Sequence, residues 1–135
     1  MIEIDAIRCG YGETDVLTDV SLRFGPGEMV GILGPNGSGK TTLLMALSGV
    51  LPLRAGSITL DGQRLETMEP RQRAQRMASV PQRLDNAFDL RVLPLVLMGR
   101  YPYISFLGGY SERDREIALE AMRNTRTEPF RDRLT

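Results

Sequence analysis

Ile2, Ile4 and Ala6 are separated by Glu3 and Asp5, and further along Val20, Leu22 and Phe24 are separated by Ser21 and Arg23. A period of two predicts strands with one face on a core and the other in water. Gly10-Tyr11-Gly12 and Gly25-Pro26-Gly27 read as the turns around them. Met29-Val30-Gly31-Ile32-Leu33 shows no alternation, which predicts a strand covered on both faces, such as a central strand of a largely parallel sheet. A helix is expected directly afterwards, with Leu43, Leu44, Ala46 and Leu47 as its apolar stripe and Gly49 and Pro52 ending it.

Gly56 to Gly62 reads as a short strand closed by an Asp61-Gly62 turn, and Glu69-Pro70 opens a basic helix through about Met77 whose Arg71, Arg73 and Arg76 form a solvated face. Ala78-Ser79-Val80 predicts another buried strand. A helix containing Leu95 to Met98 follows, with Pro94 tolerated in its first turn because early N–H groups have no helical acceptor. After a loop rich in Gly, Tyr and Pro from Gly99 to Tyr110, Ser111, Glu112 and Asp114 cap a helix with Ile117, Ala118, Ala121 and Met122 on one face. That helix should stop near Asn124, frayed or capped by Asn124 itself.

Composition narrows the chemistry. With 135 residues and 41% apolar content the chain has the size of one domain with one core. Seventeen basic and seventeen acidic residues cancel, so no overall field recruits nucleic acid, and anion recognition must be local. Cys9 is the only cysteine and there is no histidine, which excludes an internal disulfide, a Cys/His zinc site and His-based acid–base chemistry. The run from Val92 to Met98 is broken by Pro94 and far shorter than the ~20 residues of a spanning helix. An acidic start, Met1-Ile2-Glu3-Ile4-Asp5, is unlike a secretory signal, so the chain is expected in the cytoplasm, where Cys9 stays reduced.

The strongest motif is Gly34-Pro35-Asn36-Gly37-Ser38-Gly39-Lys40-Thr41, which fits G-x-x-x-x-G-K-S/T. A Gly-rich turn that opens a helix aims successive N–H groups and the positive end of the helix dipole at one spot, where a polyphosphate belongs. Lys40 is placed to reach the β- and γ-phosphates, and the Thr41 hydroxyl to bind Mg²⁺. The competing reading is a chance Gly-rich turn before a lysine, against which the apolar run before it and the helix after it both count.

The order of this loop, Tyr11, the Gly56 to Gly62 strand and Val80-Pro81-Gln82 resembles the ATP-binding subunits of ABC transporters over nearly the whole chain. The resemblance implies an α/β P-loop NTPase fold, with an antiparallel β subdomain and the start of a helical subdomain. Residues 1–82 would form the nucleotide-binding core and β subdomain, and 83–135 part of the helical subdomain. It further implies that Tyr11 stacks on adenine, a contact that tolerates any flat base. Gln82 would be the glutamine that helps Thr41 hold Mg²⁺, orients the attacking water with Lys40 as the other catalytic residue, and senses the membrane partner. Thr42 would meet the α-phosphate and Ser38 the terminal one. Leu97-Met98-Gly99-Arg100-Tyr101-Pro102-Tyr103, followed by Ser111-Glu112-Arg113-Asp114, looks like the subgroup that energises uptake of iron–siderophore complexes, haem or cobalamin.

The implied cofactors are ATP and Mg²⁺. The implied partners are transmembrane permease subunits, met through Gln82 to Tyr110, and a second ATP-binding subunit in a homodimer, on the cytoplasmic face of the inner membrane. Asp61 superficially resembles a metal-binding acid at a strand end but lies too soon after the loop, and reads as a hairpin turn. The family's Leu-Ser-Gly-Gly signature, its Walker B strand and its switch histidine do not occur before Thr135, so no ATP turnover is expected from these residues alone, and the central strand is expected to show an aggregation-prone edge. A different P-loop NTPase, such as a GTPase or small-molecule kinase, and a non-catalytic fragment that binds nucleotide or a transmembrane partner are the alternatives.

Overall fold

A computed structural model describes residues 1–80, 90–105 and 108–135. The chain divides into two compact units, Met1–Ser79 and Val80–Thr135.

The first unit is built on a four-stranded antiparallel sheet of order β2-β1-β3-β4. Its strands are β1 (Ile2–Tyr11), β2 (Thr14–Phe24), β3 (Ala55–Leu60) and β4 (Gln63–Arg64). Helix α1 (Lys40–Leu47) covers one face. Ile4, Ile7, Cys9 and Leu17 from the hairpin meet Leu43, Ala46 and Leu47 from α1 and Ile58 and Leu60 from β3, and Leu65 and Met68 close the edge of this core. Helix α2 (Pro70–Arg76) buries no residue, in keeping with its expected solvated face.

The alternation holds for Ile2 and Ile4 but not for Ala6, which is exposed, and the buried set resumes at Ile7 and Cys9. A bulge resets the period. The β1–β2 register shifts between Ile4 and Ile7, Ala6 takes a positive φ of 44°, and its N–H donates to the Ser21 hydroxyl at 2.9 Å. Gly56 lies opposite at φ 79°, where a Cβ would sit 2.4 Å from the Asp5 carbonyl, so only glycine lets β3 follow the bulge. The first turn also differs from expectation: Tyr11 ends β1 in register with Thr14, and Gly12-Glu13 form the turn.

Two expected strands do not form. Met29 to Leu33 is irregular, with Met29 and Leu33 fully exposed and only Ile32 packed against the core. An apolar run suited to burial on both faces needs a neighbour on each side, and among the described residues the sheet is wholly antiparallel and takes this segment into no ladder. Ala78 to Val80 is likewise unpaired and exposed. Asp61 and Gly62 make the β3–β4 turn as expected, and the Met1 ammonium donates to the Asp61 carboxylate at 2.5 Å. That hydrogen bond and the attendant charge hold the Asp61 carboxyl below its usual range.

In the second unit, α3 (Val92–Met98) packs on α4 (Glu112–Asn124), burying Leu97, Ala118 and Met122. The final residues return along the start of α3, with Thr135 N–H on the Leu90 carbonyl at 2.9 Å and Val92 N–H on that of Arg133 at 3.0 Å. Ser111 and Asp114 form a full capping box at the start of α4. At its end Arg126, at φ 57°, takes the left-handed position, and Thr125 rather than Asn124 supplies the cap, its hydroxyl donating to the Ala121 carbonyl at 2.9 Å. Among the described residues no helix is long and apolar enough to cross a membrane.

Candidate functional site

The segment from Gly34 to Gly39 leads into α1 without strand or helix of its own, and Gly39 is the N-cap. Gly39 has φ 89°, and a Cβ there would lie 2.8 Å from the Leu17 side chain, so glycine is needed both for the turn and for its seat on β2. Leu43 N–H donates to the Gly39 carbonyl at 2.8 Å and starts the helical ladder, while Ser38 N–H closes a turn on the Pro35 carbonyl at 3.3 Å. Among the described residues, the N–H groups of Gly37, Gly39, Lys40 and Thr41 make no main-chain hydrogen bond outside the helix. These are the donors a helix start leaves unpaired.

Lys40 curls back over the loop. Its ammonium donates to the carbonyls of Gly34 at 2.8 Å and Pro35 at 2.7 Å, and lies 3.5 Å from the Ser38 hydroxyl. Three donors are available on an ammonium, and two are taken by good contacts, so the third, only weakly held by Ser38, is open to an anion. Among the described residues Lys40 has no carboxylate within ion-pair distance, although the chain is rich in acids. A cation without a counter-ion beside unpaired N–H groups is the electrostatic complement of a polyphosphate. On α1, Thr41 is exposed while Thr42 is only 5% exposed and shares the core face with Leu43 and Ala46. Of the two hydroxyls, Thr41 has the side chain open to a ligand.

Tyr11 stands at the tip of the β1–β2 hairpin with half its surface exposed, and its hydroxyl donates to the Met45 sulfur at 3.3 Å. Met45 belongs to the helix that begins at Lys40, so this contact ties the ring to the element that frames the loop. Met45 escaped the sequence reading because a thioether in a helix carries no motif, although its exposed position on α1 beside the core stripe was visible. Gln82 lies outside the described residues. Asn36, Gly37 and Ser38 are exposed along the loop. Elsewhere on this unit a shallow trough of about 630 Å³ is lined by Glu3, Asp5, Ser21, Arg23, Ser57 and Thr59 and includes none of the loop residues. Among the described residues no cluster of His, Cys, Asp or Glu is arranged to hold a metal. Cys9 is buried, which pushes its thiol above the usual range and leaves it a packing residue.

In the second unit Arg100, at the end of α3, donates from Nε to Asp114 at 3.0 Å, and its guanidinium stacks 3.9 Å from the Tyr103 ring centre. Ser111 donates to the other Asp114 oxygen from its hydroxyl at 2.6 Å and from its N–H at 3.0 Å. These hydrogen bonds, those from Ser111 first and then that from Arg100, hold the Asp114 carboxyl below the usual range. The same contacts pin both ends of the connection that carries Tyr101, which is 71% exposed.

A family model described as "ABC transporter" matches residues 17–135. A hemin import ATP-binding protein of Pseudomonas fluorescens (strain Pf0-1) is 48% identical over 123 residues, covering 91% of this chain and 47% of its own. A petrobactin import ATP-binding protein of Bacillus anthracis is 37% identical over 132 residues, covering 98% and 48%. The chain spans about half the length of these two relatives. Among solved structures, a dimeric bacterial ABC transporter cassette superimposes with a TM-score of 0.83 at 25% identity, covering 98% of this chain and 60% of that one. An ATP-binding subunit of an ABC transporter gives 0.76 at 28% identity, with coverage of 99% and 54%.

Proposed function

The chain belongs to the ABC transporter family, and from that premise we propose that it supplies the phosphate-loop half of an ATP-binding subunit that drives import of an iron chelate such as haem or a siderophore. The observation that carries this reading is the loop from Gly34 to Thr41, with its unpaired N–H groups and a Lys40 ammonium that has no carboxylate partner. Gly37, Gly39 and Lys40 present their N–H groups to the β- and γ-phosphates, and the Lys40 ammonium neutralises their charge. Ser38 reaches the terminal phosphate and Thr42 meets the α-phosphate through its N–H. Pro35 and Asn36 shape the turn. Thr41 contributes its hydroxyl to Mg²⁺, with Gln82 as the second protein ligand, and that ion supplies charge neutralisation across the phosphates. Tyr11 stacks on the adenine.

The iron-chelate cargo draws support from the Leu97 to Tyr103 pattern and from relatives named for hemin and petrobactin import. In the whole protein the region from Gln82 to Tyr110 docks on permease subunits at the cytoplasmic face of the membrane, and a second copy completes the nucleotide sandwich. The residues from Gly34 to Thr41, with Tyr11, hold and orient ATP. Titration of a fluorescent ATP analogue tests the reading. Lys40→Ala is expected to weaken binding by about 100-fold, the loss of a charge-assisted contact worth ~3 kcal/mol, and equal affinity for both proteins would refute it.

A further inference from the structure

The hairpin tip that carries Tyr11 is stapled by a residue distant in sequence. Arg54 immediately precedes β3, and its N–H is fixed on the carbonyl of Arg8, within β1, at 2.8 Å. From there its guanidinium forks. One arm forms an ion pair with the Asp15 carboxylate at the start of β2, and the other donates to the Gly12 carbonyl inside the turn. Arg8 approaches the same carboxylate at 3.7 Å. Both partners are about 30% exposed, so the pair is less screened than one standing free in water. At its other end the Tyr11 ring is held by its hydroxyl on Met45.

We propose that Arg54 is a positioning residue for nucleotide binding, holding the β1–β2 turn so that the half-exposed Tyr11 ring is already set to receive a base. This rests on the reading above, in which Tyr11 stacks on adenine and the Gly34 to Thr41 loop grips phosphate. The fork spans the turn, taking one acceptor from its first residue and one from the strand beyond, which a lysine point charge does not reproduce. A two-residue turn held this way loses little freedom when the base arrives, so the staple acts on affinity through pre-organisation. The buried core of the sheet, from Ile4 to Cys9 and Ile58, does not include Arg54.

The test compares ATP with inorganic tripolyphosphate, which has the phosphates and no base, as ligands of the full chain and its variants in the presence of Mg²⁺. Arg54→Met is expected to weaken ATP binding by about tenfold, the scale of one lost base stack, and to leave tripolyphosphate affinity unchanged. Tyr11→Ala should behave alike, and Arg54→Met introduced into Tyr11→Ala should add almost nothing, since both act on one contact. Asp15→Asn loosens the staple from its other side and should give a smaller loss of the same base-dependent kind; it decides the matter if Arg54→Met does not fold. Equal weakening of both ligands, unchanged ATP affinity, or additive losses with Tyr11→Ala would overturn the role of Arg54. If Lys40→Ala left both affinities intact, the phosphate-loop reading itself would fail, and the proposal with it.

Discussion

The antiparallel sheet and the run from Met29 to Leu33 are both written in strand-forming residues, yet only one of them is a sheet. β1 finds β2 on one side and β3 on the other within the chain, and its Ile7 and Cys9 are fully buried. Met29 to Leu33 finds no ladder, and Met29 and Leu33 stand in solvent. Helix α1 divides the same way: Leu43, Ala46 and Leu47 are in the core, whereas Leu44 on the other side is 57% exposed. A helix apolar on two sides is suited to cover on both, and here one side is covered. An apolar pattern therefore specifies the surroundings a segment requires, and it becomes structure only where those surroundings exist.

The largest expected effect sharpens the covered side of that contrast. Ile58→Ala, at a residue 1% exposed between β1 and the core, should lower unfolding stability by about 2–5 kcal/mol, read as a fall in the urea midpoint. Next in size, Ser111→Ala removes the hydroxyl half of the capping box and should cost about 1 kcal/mol, seen as lost helical signal and a lower melting temperature of the second unit. Asp114 adds a pH dependence. Its folded carboxyl is held below its unfolded value, so the stability it contributes is present above about pH 4, the ordinary Asp range, and is lost as the pH falls through the folded value. Asp114→Asn should flatten that acid limb of the stability curve. The smallest effect belongs to the uncovered side: Met29→Lys should change stability by less than about 0.5 kcal/mol while raising the solubility limit, because it places a charge on exposed apolar chain. A loss as large as that of Ile58→Ala would mean that this run is packed after all.

The hairpin, α1, the β3 turn and the capped α4 were legible because their signals are local: alternation, helical spacing, an Asp-Gly pair, a Ser and an Asp three residues apart. Ala6 misled because a bulge shifts the period by one residue, and its only sequence trace is Gly56 on the neighbouring strand. Met29 to Leu33 and Ala78 to Val80 misled because their strand character depends on neighbours that local pattern does not record. Of the candidate site, the Gly34 to Thr41 loop was legible as a motif and Tyr11 through family resemblance. Arg54 was invisible, since it reaches Asp15 and Gly12 from 39 and 42 residues away and neither pair has a pattern.

On the proposed reading, the main chain around Lys40 is shaped for the phosphates of ATP. Amide resonances followed while Mg²⁺-ATP is added address it residue by residue. The N–H signals of Gly37, Gly39, Lys40 and Thr41 should move furthest and saturate together. Shifts concentrated instead along the trough of Glu3, Asp5 and Arg23, or none at the loop, would contradict it.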